Sequence, residues 1–136
     1  MDDYIISEFQ ASDDTLRIYK EDRLLFSSNR ERLLPLMEYI ETHTPYEKDV
    51  TVLDRVVGNA AALLMVKIYC KETYSELGSK LAEETLKQLG IDYHFARTVP
   101  YIENNQRDGM CPMEQLSIDK TPEEFYQLLK ERISGQ

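Results

Sequence analysis

The sequence predicts an α/β domain of three layers, a mixed β-sheet with flanking helices. Three observations point there. Two short β-prone runs flank a turn near the amino end, a long apolar stripe at helical spacing occupies the middle, and strand and helix signals alternate after it. A tight turn makes an antiparallel pair, whereas strands joined by a helical crossover are parallel, so the sheet should be mixed. At 136 residues the chain has the size of one domain, taken here as residues 1–136.

In chain order, residues 1–14 carry Tyr4, Ile5, Ile6 and Phe9 between acidic ends, which fits a short helix or an arm docked on the domain. Thr15-Leu16-Arg17-Ile18-Tyr19 and Leu24-Leu25-Phe26-Ser27 read as a hairpin, although its turn lacks the favoured Asn-Gly or Asp-Gly. Residues 31–42 place Leu33, Leu34, Met37 and Ile40 at helical spacing, with Pro35 in the first turn where its missing N–H does little harm. Residues 41–49 are polar and read as a loop.

The strongest pattern follows. Leu53, Val56, Val57, Ala60, Ala61, Leu64 and Met65 form a sustained helical stripe, and Ala62, Leu63 and Val66 fill the other faces. A buried central helix over 53–66 is expected, with Thr51 and Asp54 as its capping box. Residues 67–70 then read as a strand and 76–89 as a helix stopped by Gly90. Ile91, Tyr93 and Phe95 alternate with Asp92, His94 and Ala96 as a strand does. Residues 98–110 form a polar loop, Cys111-Pro112 opens a short helix, and Thr121-Pro122-Glu123-Glu124 combines N-cap, N1 proline and capping box at the start of the last one.

Composition narrows the function classes. A net charge of −9 without any Lys/Arg stripe argues against binding a nucleic-acid backbone. The longest apolar run, 60–66, is about a third of the roughly 20 residues a membrane span needs, so no membrane partner is expected. The acidic Met1-Asp2-Asp3 start is unlike a signal peptide. With only Cys70 and Cys111 there is no disulfide framework, and a reducing cytoplasm is the expected location.

Three strings carry a resemblance: Leu16-Arg-Ile-Tyr-Lys20, Asp54-Arg-Val-Val-Gly-Asn-Ala-Ala-Ala62 and Asp108-Gly-Met-Cys-Pro-Met-Glu114. In this order and spacing the chain resembles an uncharacterised prokaryotic family with a cytidine-deaminase-like fold, over roughly residues 15–133. The resemblance implies that fold and no settled activity. Zinc deaminases need a His or Cys ligand with a Glu two residues on at one helix start, and a Pro-Cys-x-x-Cys pair at the next. The segments matched to those starts, Thr51-Val-Leu-Asp54-Arg-Val and Thr73-Tyr-Ser-Glu-Leu-Gly78, hold no such ligand set, so no metal and no cofactor is expected.

The candidate catalytic residues are Cys111, Glu114 and Asp54. A cysteine opening a helix feels the partial positive charge of free N–H groups, which favours thiolate, and Glu114 could then serve as acid/base or anchor. The plain alternative is a small buried cysteine and a glutamate that caps its own turn. Asp54 could bind a sugar hydroxyl, an amine or a metal, or simply cap its helix with Thr51. Gly58 and Asn59 in the same helix, and Asn105, Arg107 and Asp108 in the polar loop, are the candidate ligand contacts; tight packing and a solvated loop are the competing readings. His43 and His94 read as surface residues and Cys70 as core. The leading expectation is a small-molecule site, for a nucleotide-like or amine-bearing metabolite, between the start of the 53–66 helix and the 104–114 loop, whether for catalysis or for binding alone. The alternative is an interaction module that uses the amino-terminal arm or a free sheet edge, with a homodimer as one form of it.

Overall fold

The amino-terminal patch forms a helix, α1 (Asp3–Ala11), in a computed structural model that describes residues 2–134. Asp2 caps it by accepting the Tyr4 N–H at 2.8 Å. The hairpin is as expected: β1 (Leu16–Lys20) and β2 (Arg23–Ser28) pair antiparallel, with Glu21 of the turn at φ 56° doing what an Asn or Gly would do elsewhere. Next comes α2 (Leu34–Thr42), whose Pro35 lies in the first turn.

The expected 53–66 helix is two elements. Residues 50–57 form strand β3 (Val50–Val57), and the helix α3 (Asn59–Lys67) begins only after Gly58. A strand covered on both faces is apolar at consecutive positions, and such a run fits a helical template as well as it fits a strand. Thr51 and Asp54 are therefore no capping box. They sit in β3, and the Thr51 hydroxyl donates to Glu72 across the sheet at 3.1 Å.

The same shift runs into the next pair. Residues 67–69, expected in a strand, end α3 and turn through Tyr69 at φ 60°. Strand β4 (Cys70–Ser79) takes the residues 76–79 that were expected to open a helix, and α4 (Lys80–Gln88) starts behind a Ser79 cap that accepts the Ala82 N–H at 3.0 Å. Gly90 (φ 77°) follows that helix in the left-handed conformation its position calls for. β5 (Asp92–Val99) outlasts the expected strand by three residues, and α5 (Pro112–Ser117) and α6 (Pro122–Ser134) are the last elements of the described residues.

The sheet is five-stranded in the order β2-β1-β3-β4-β5. β1 is antiparallel to both neighbours, whereas β3, β4 and β5 are parallel, as helical crossovers through α3 and α4 require. Side-chain alternation gives the layers. Leu16, Ile18, Val50 and Val52 face the main core, which includes Leu36, Ile40, Leu64, Met65, Leu86, Phe125 and Leu129 from the helices. Tyr19, Leu53 and Tyr74 face the other way and meet Ile5 and Phe9 of α1. No helix of the described residues is long and apolar enough to cross a membrane.

A nine-residue helix with two buried apolar side chains needs more than burial to stay docked. Arg55 supplies it. Its guanidinium donates to the carbonyls of Phe9 (2.7 Å), Ser12 (2.8 Å) and Asp14 (3.0 Å), pairs with Glu76 at 2.6 Å, and lies 4.2 Å from the Phe9 ring centroid. The carbonyls that end α1 are thus closed by a side chain from β3. Replacing Arg55 by Met should cost about 2–3 kcal/mol, the scale of hydrogen bonds to a charged group. It should also speed hydrogen exchange in α1 ahead of the rest of the domain; uniform exchange would deny Arg55 this role.

Candidate functional site

Helix α3 opens at Gly58, which has no side chain to cap the unpaired N–H groups of the first turn. The cap arrives from elsewhere in the chain. Glu114 of α5, only 2% exposed, accepts the Asn59 N–H at 2.5 Å through Oε1 and the Ile102 N–H at 2.8 Å through Oε2. An anion at a helix amino end is favoured both by the free N–H groups and by the helix dipole. A Cβ on residue 58 would stand 2.9 Å from both Glu114 Oε1 and Ile102 Cγ1, so the glycine is what lets the carboxylate approach.

The knot continues outward. Asn59 donates through Nδ2 to the Ser117 carbonyl (3.2 Å) and hydroxyl (3.0 Å), and its Oδ1 accepts from the Thr85 hydroxyl of α4. Ser117 in turn donates to the Glu114 carbonyl at 2.7 Å, and the Cys111 N–H donates to the Ile102 carbonyl at 2.8 Å. The structure thereby joins four of the expected residues, Gly58, Asn59, Cys111 and Glu114, and adds Thr85, Ile102 and Ser117. Backbone groups and small hydroxyls of this kind leave no signal in a sequence.

Asp54 stands apart from the knot. It lies in β3 on the face of the main core, in the row Leu16–Asp54–Ser75–Phe95, and not at a helix start. Burial pushes its carboxyl up to about 7, against the opposing pull of the Val56 and Arg55 backbone amides and of the Arg55 charge. It shares no hydrogen bond with Cys111 or Glu114. The neighbouring Ser75 hydroxyl is turned to its own strand, donating to the Leu77 carbonyl at 2.8 Å.

The polar loop is organised by Asn104. Its side chain accepts the N–H groups of Gln106 (3.1 Å) and Asp108 (3.2 Å) and donates to the Asp108 carboxylate at 2.8 Å, while Arg107 adopts φ 60°. Asn105, Arg107 and Asp108 are exposed around this turn. Cys111 is partly exposed at the start of α5, whereas Cys70 is buried, its thiol pushed up to about 12 by burial, as befits a core residue. His43 stacks on Tyr39 at 4.6 Å and the exposed His94 stacks on Tyr74 at 6.2 Å. A groove of about 300 Å³ lies on the other side of the molecule, between α1 and the first residues of β4 and β5, where Asp3, Ile6, Glu72, Asp92 and His94 line it. None of the expected site residues reaches that groove.

The helices that follow the first two parallel strands open Gly58-Asn59-Ala60-Ala61 and Ser79-Lys80-Leu81-Ala82, with neither His nor Cys. Among the described residues no group of three His, Cys, Asp or Glu side chains could hold a metal ion. The class is thus an α/β domain whose central helix is capped by a buried carboxylate. The chain belongs to the DUF1893 (TM1506) family, a domain of unknown function, whose model matches residues 4–133. The crystal structure of a DUF1893 family protein (TM1506) from Thermotoga maritima is similar in fold: the TM-score is 0.87 at 24% identity, covering 96% of this chain and 88% of that one. No curated protein matches.

Glu114→Gln keeps one acceptor but turns an amide donor toward a backbone N–H, which should cost about 1–3 kcal/mol. Gly58→Ala should cost a similar amount, and less in a Glu114→Ala background, which removes one of the two groups its Cβ would meet and leaves Ile102; strict additivity in denaturant melts would show the two changes to be separate. For Asp54, the sign runs toward instability as pH rises. Below about pH 4 the carboxyl is protonated in both states, and between about 4 and 7 the unfolded chain releases the proton first. The fold should lose on the order of 4 kcal/mol across that window and level off above it, at roughly 1.4 kcal/mol for each pH unit separating the two values. Asp54→Asn should remove this slope in urea melts taken across the window; equal slopes in the two proteins would show that Asp54 titrates normally.

Proposed function

We propose that this chain is a metal-independent domain of deaminase-like architecture that binds a small polar metabolite, nucleotide-like in its hydrogen-bonding groups. The site is at the carboxyl ends of β3 and β4. The observation that carries the reading is a set of buried polar side chains on this side of the sheet: Asp54 in the second half of β3, Ser75 and Ser79 in the second half of β4, Asn59 at the start of α3, and Glu114 and Ser117 of α5, which hydrogen-bond to Asn59. Open sheets with parallel strands take ligands at the carboxyl ends of those strands. A buried carboxyl poised near neutrality is a group such sites use to give or take a proton.

Roles divide accordingly. Glu114 positions α3 and the 102–114 segment, since both its oxygens are engaged. Asp54 is the acid/base, Cys111 the nucleophile if a hydrolytic or group-transfer step occurs, and Arg107 with Asn105 and Asp108 the exposed contacts for a charged group on the ligand.

A thermal-shift panel of nucleosides, nucleotides and amine-bearing metabolites tests this. A true ligand at a hundredfold excess over its Kd adds about 2.7 kcal/mol, several degrees in melting temperature. Asp54→Asn should lose that shift. Cys111→Ser should keep it, and should lose turnover if the site is catalytic. A flat panel, or a shift that Asp54→Asn leaves intact, overturns the reading.

A further inference from the structure

Of the five glycines, only Gly109 follows an aspartate, and none follows an asparagine. The pair matters chemically, because a backbone nitrogen can attack the side-chain carbonyl carbon of the residue before it and close a five-membered ring. A Cβ on the attacking residue crowds that approach, and glycine has none. The surroundings of Asp108-Gly109 leave the approach open. Asp108 is exposed and Gly109 half-buried, in a loop closed by a Glu103↔Met110 bridge. The Gly109 N–H donates no hydrogen bond among the described residues, so no ladder holds its nitrogen. A Cβ on Gly109 would meet only Asn104 Nδ2, at 3.8 Å. One side chain restrains the pair. Asn104 donates through Nδ2 to Asp108 Oδ1 at 2.8 Å, and its Oδ1 accepts the Asp108 N–H at 3.2 Å.

We propose that Asp108 is a site of self-modification, at which the chain converts to isoaspartate through a succinimide, and that Asn104 is its brake. In the first step the Gly109 nitrogen attacks Asp108 Cγ. A C–N bond forms, the Cγ–OH bond of the protonated carboxyl breaks, and the amide hydrogen leaves with that hydroxyl as water. In the second step water adds to one of the two ring carbonyls, and the C–N bond at that carbonyl breaks. Opening at Cγ restores aspartate. Opening at the main-chain carbonyl leaves the backbone running through Asp108 Cβ and Cγ, one carbon longer, with a free α-carboxylate in place of the side chain. Nothing is oxidised or reduced. Ring closure turns the Asp108 side chain and the peptide after it against one another, and the two bonds to Asn104 resist that turning. The extra carbon falls where the loop is tied. The Asn104 N–H donates to the Gly109 carbonyl at 2.9 Å and the Cys111 N–H to the Ile102 carbonyl at 2.8 Å, and the Ile102 N–H is itself a donor to Glu114. Isoaspartate at 108 therefore lengthens the strap that holds the cap of α3, and the modified chain is the less stable one. The chemistry is independent of any contact between Asp108 and a ligand.

The test follows the full chain during incubation at physiological temperature. Isoaspartate is read by labelling with an isoaspartyl methyltransferase and by chromatography of the peptide spanning 108–109, whose two isomers have one mass. The folded wild-type chain should accumulate isoaspartate at 108, and Asn104→Ala should do so severalfold faster, with hydrogen exchange outside residues 102–111 unchanged. Gly109→Ala should slow the conversion severalfold. Asp108→Glu, which keeps the charge but would need a six-membered ring, should form almost none. Aged wild-type protein should melt below fresh protein, whereas aged and fresh Asp108→Glu should melt together. A folded wild-type chain without isoaspartate at 108 overturns the proposal. So does label that is equal in Asp108→Glu, or that arises only when the chain is held in urea. An Asn104→Ala rate equal to that of the wild type, or a faster one accompanied by faster exchange throughout the sheet, overturns the brake.

Discussion

A carboxylate placed against the amino end of a buried helix organises the carboxyl side of this sheet. Helix α3 lies in the middle of the main core, apolar on nearly every face, and its first N–H groups have nowhere to go in an apolar layer. Glu114 closes one of them and the Ile102 N–H together. In doing so it fixes where the chain must return after β5, which strand end the 100–111 segment crosses, and how α5 abuts α3. Gly58 and Asn59 are consequences of that placement: the first makes room for the carboxylate, and the second spends its amide on Ser117 and Thr85. A buried charge of this kind is costly unless each of its oxygens has a donor, which is why the knot has so many members.

Local rules made part of the fold legible. The hairpin, the proline in α2, Gly90 and the Thr121-Pro122 start of α6 are all set by residues within a few positions of one another, and all are as expected. β3 was hidden because both of its faces are covered, so Val52 and Leu53 look alike in the sequence although they point to opposite sides of the sheet. Once Val56 and Val57 were absorbed into the helical stripe, the strand and helix that follow were displaced too.

The candidate site was legible by residue and not by role. Glu114, Gly58 and Asn59 were singled out for chemistry and turn out to be in direct contact, but what they contact is one another. Asp54, expected at a helix start as a ligand contact or a cap, is a buried strand residue whose burial raises its carboxyl. Arg55, one residue on, gave no signal at all: beside Glu76 on the next strand, its partners are three carbonyls in another part of the chain, and carbonyls are the same in every sequence.

That adjacency of Asp54 and Arg55 gives β3 two faces with different dependencies. One serves the main core; the other is covered by a single short helix at the extreme amino end of the described residues. The consequence is practical for anyone handling the protein. Trimming the first dozen residues would uncover Tyr19, Leu53 and Tyr74 as a contiguous wet apolar surface, while leaving the five strands and every helix of the main core intact. Such a product would carry an exposed apolar patch of the kind that drives association.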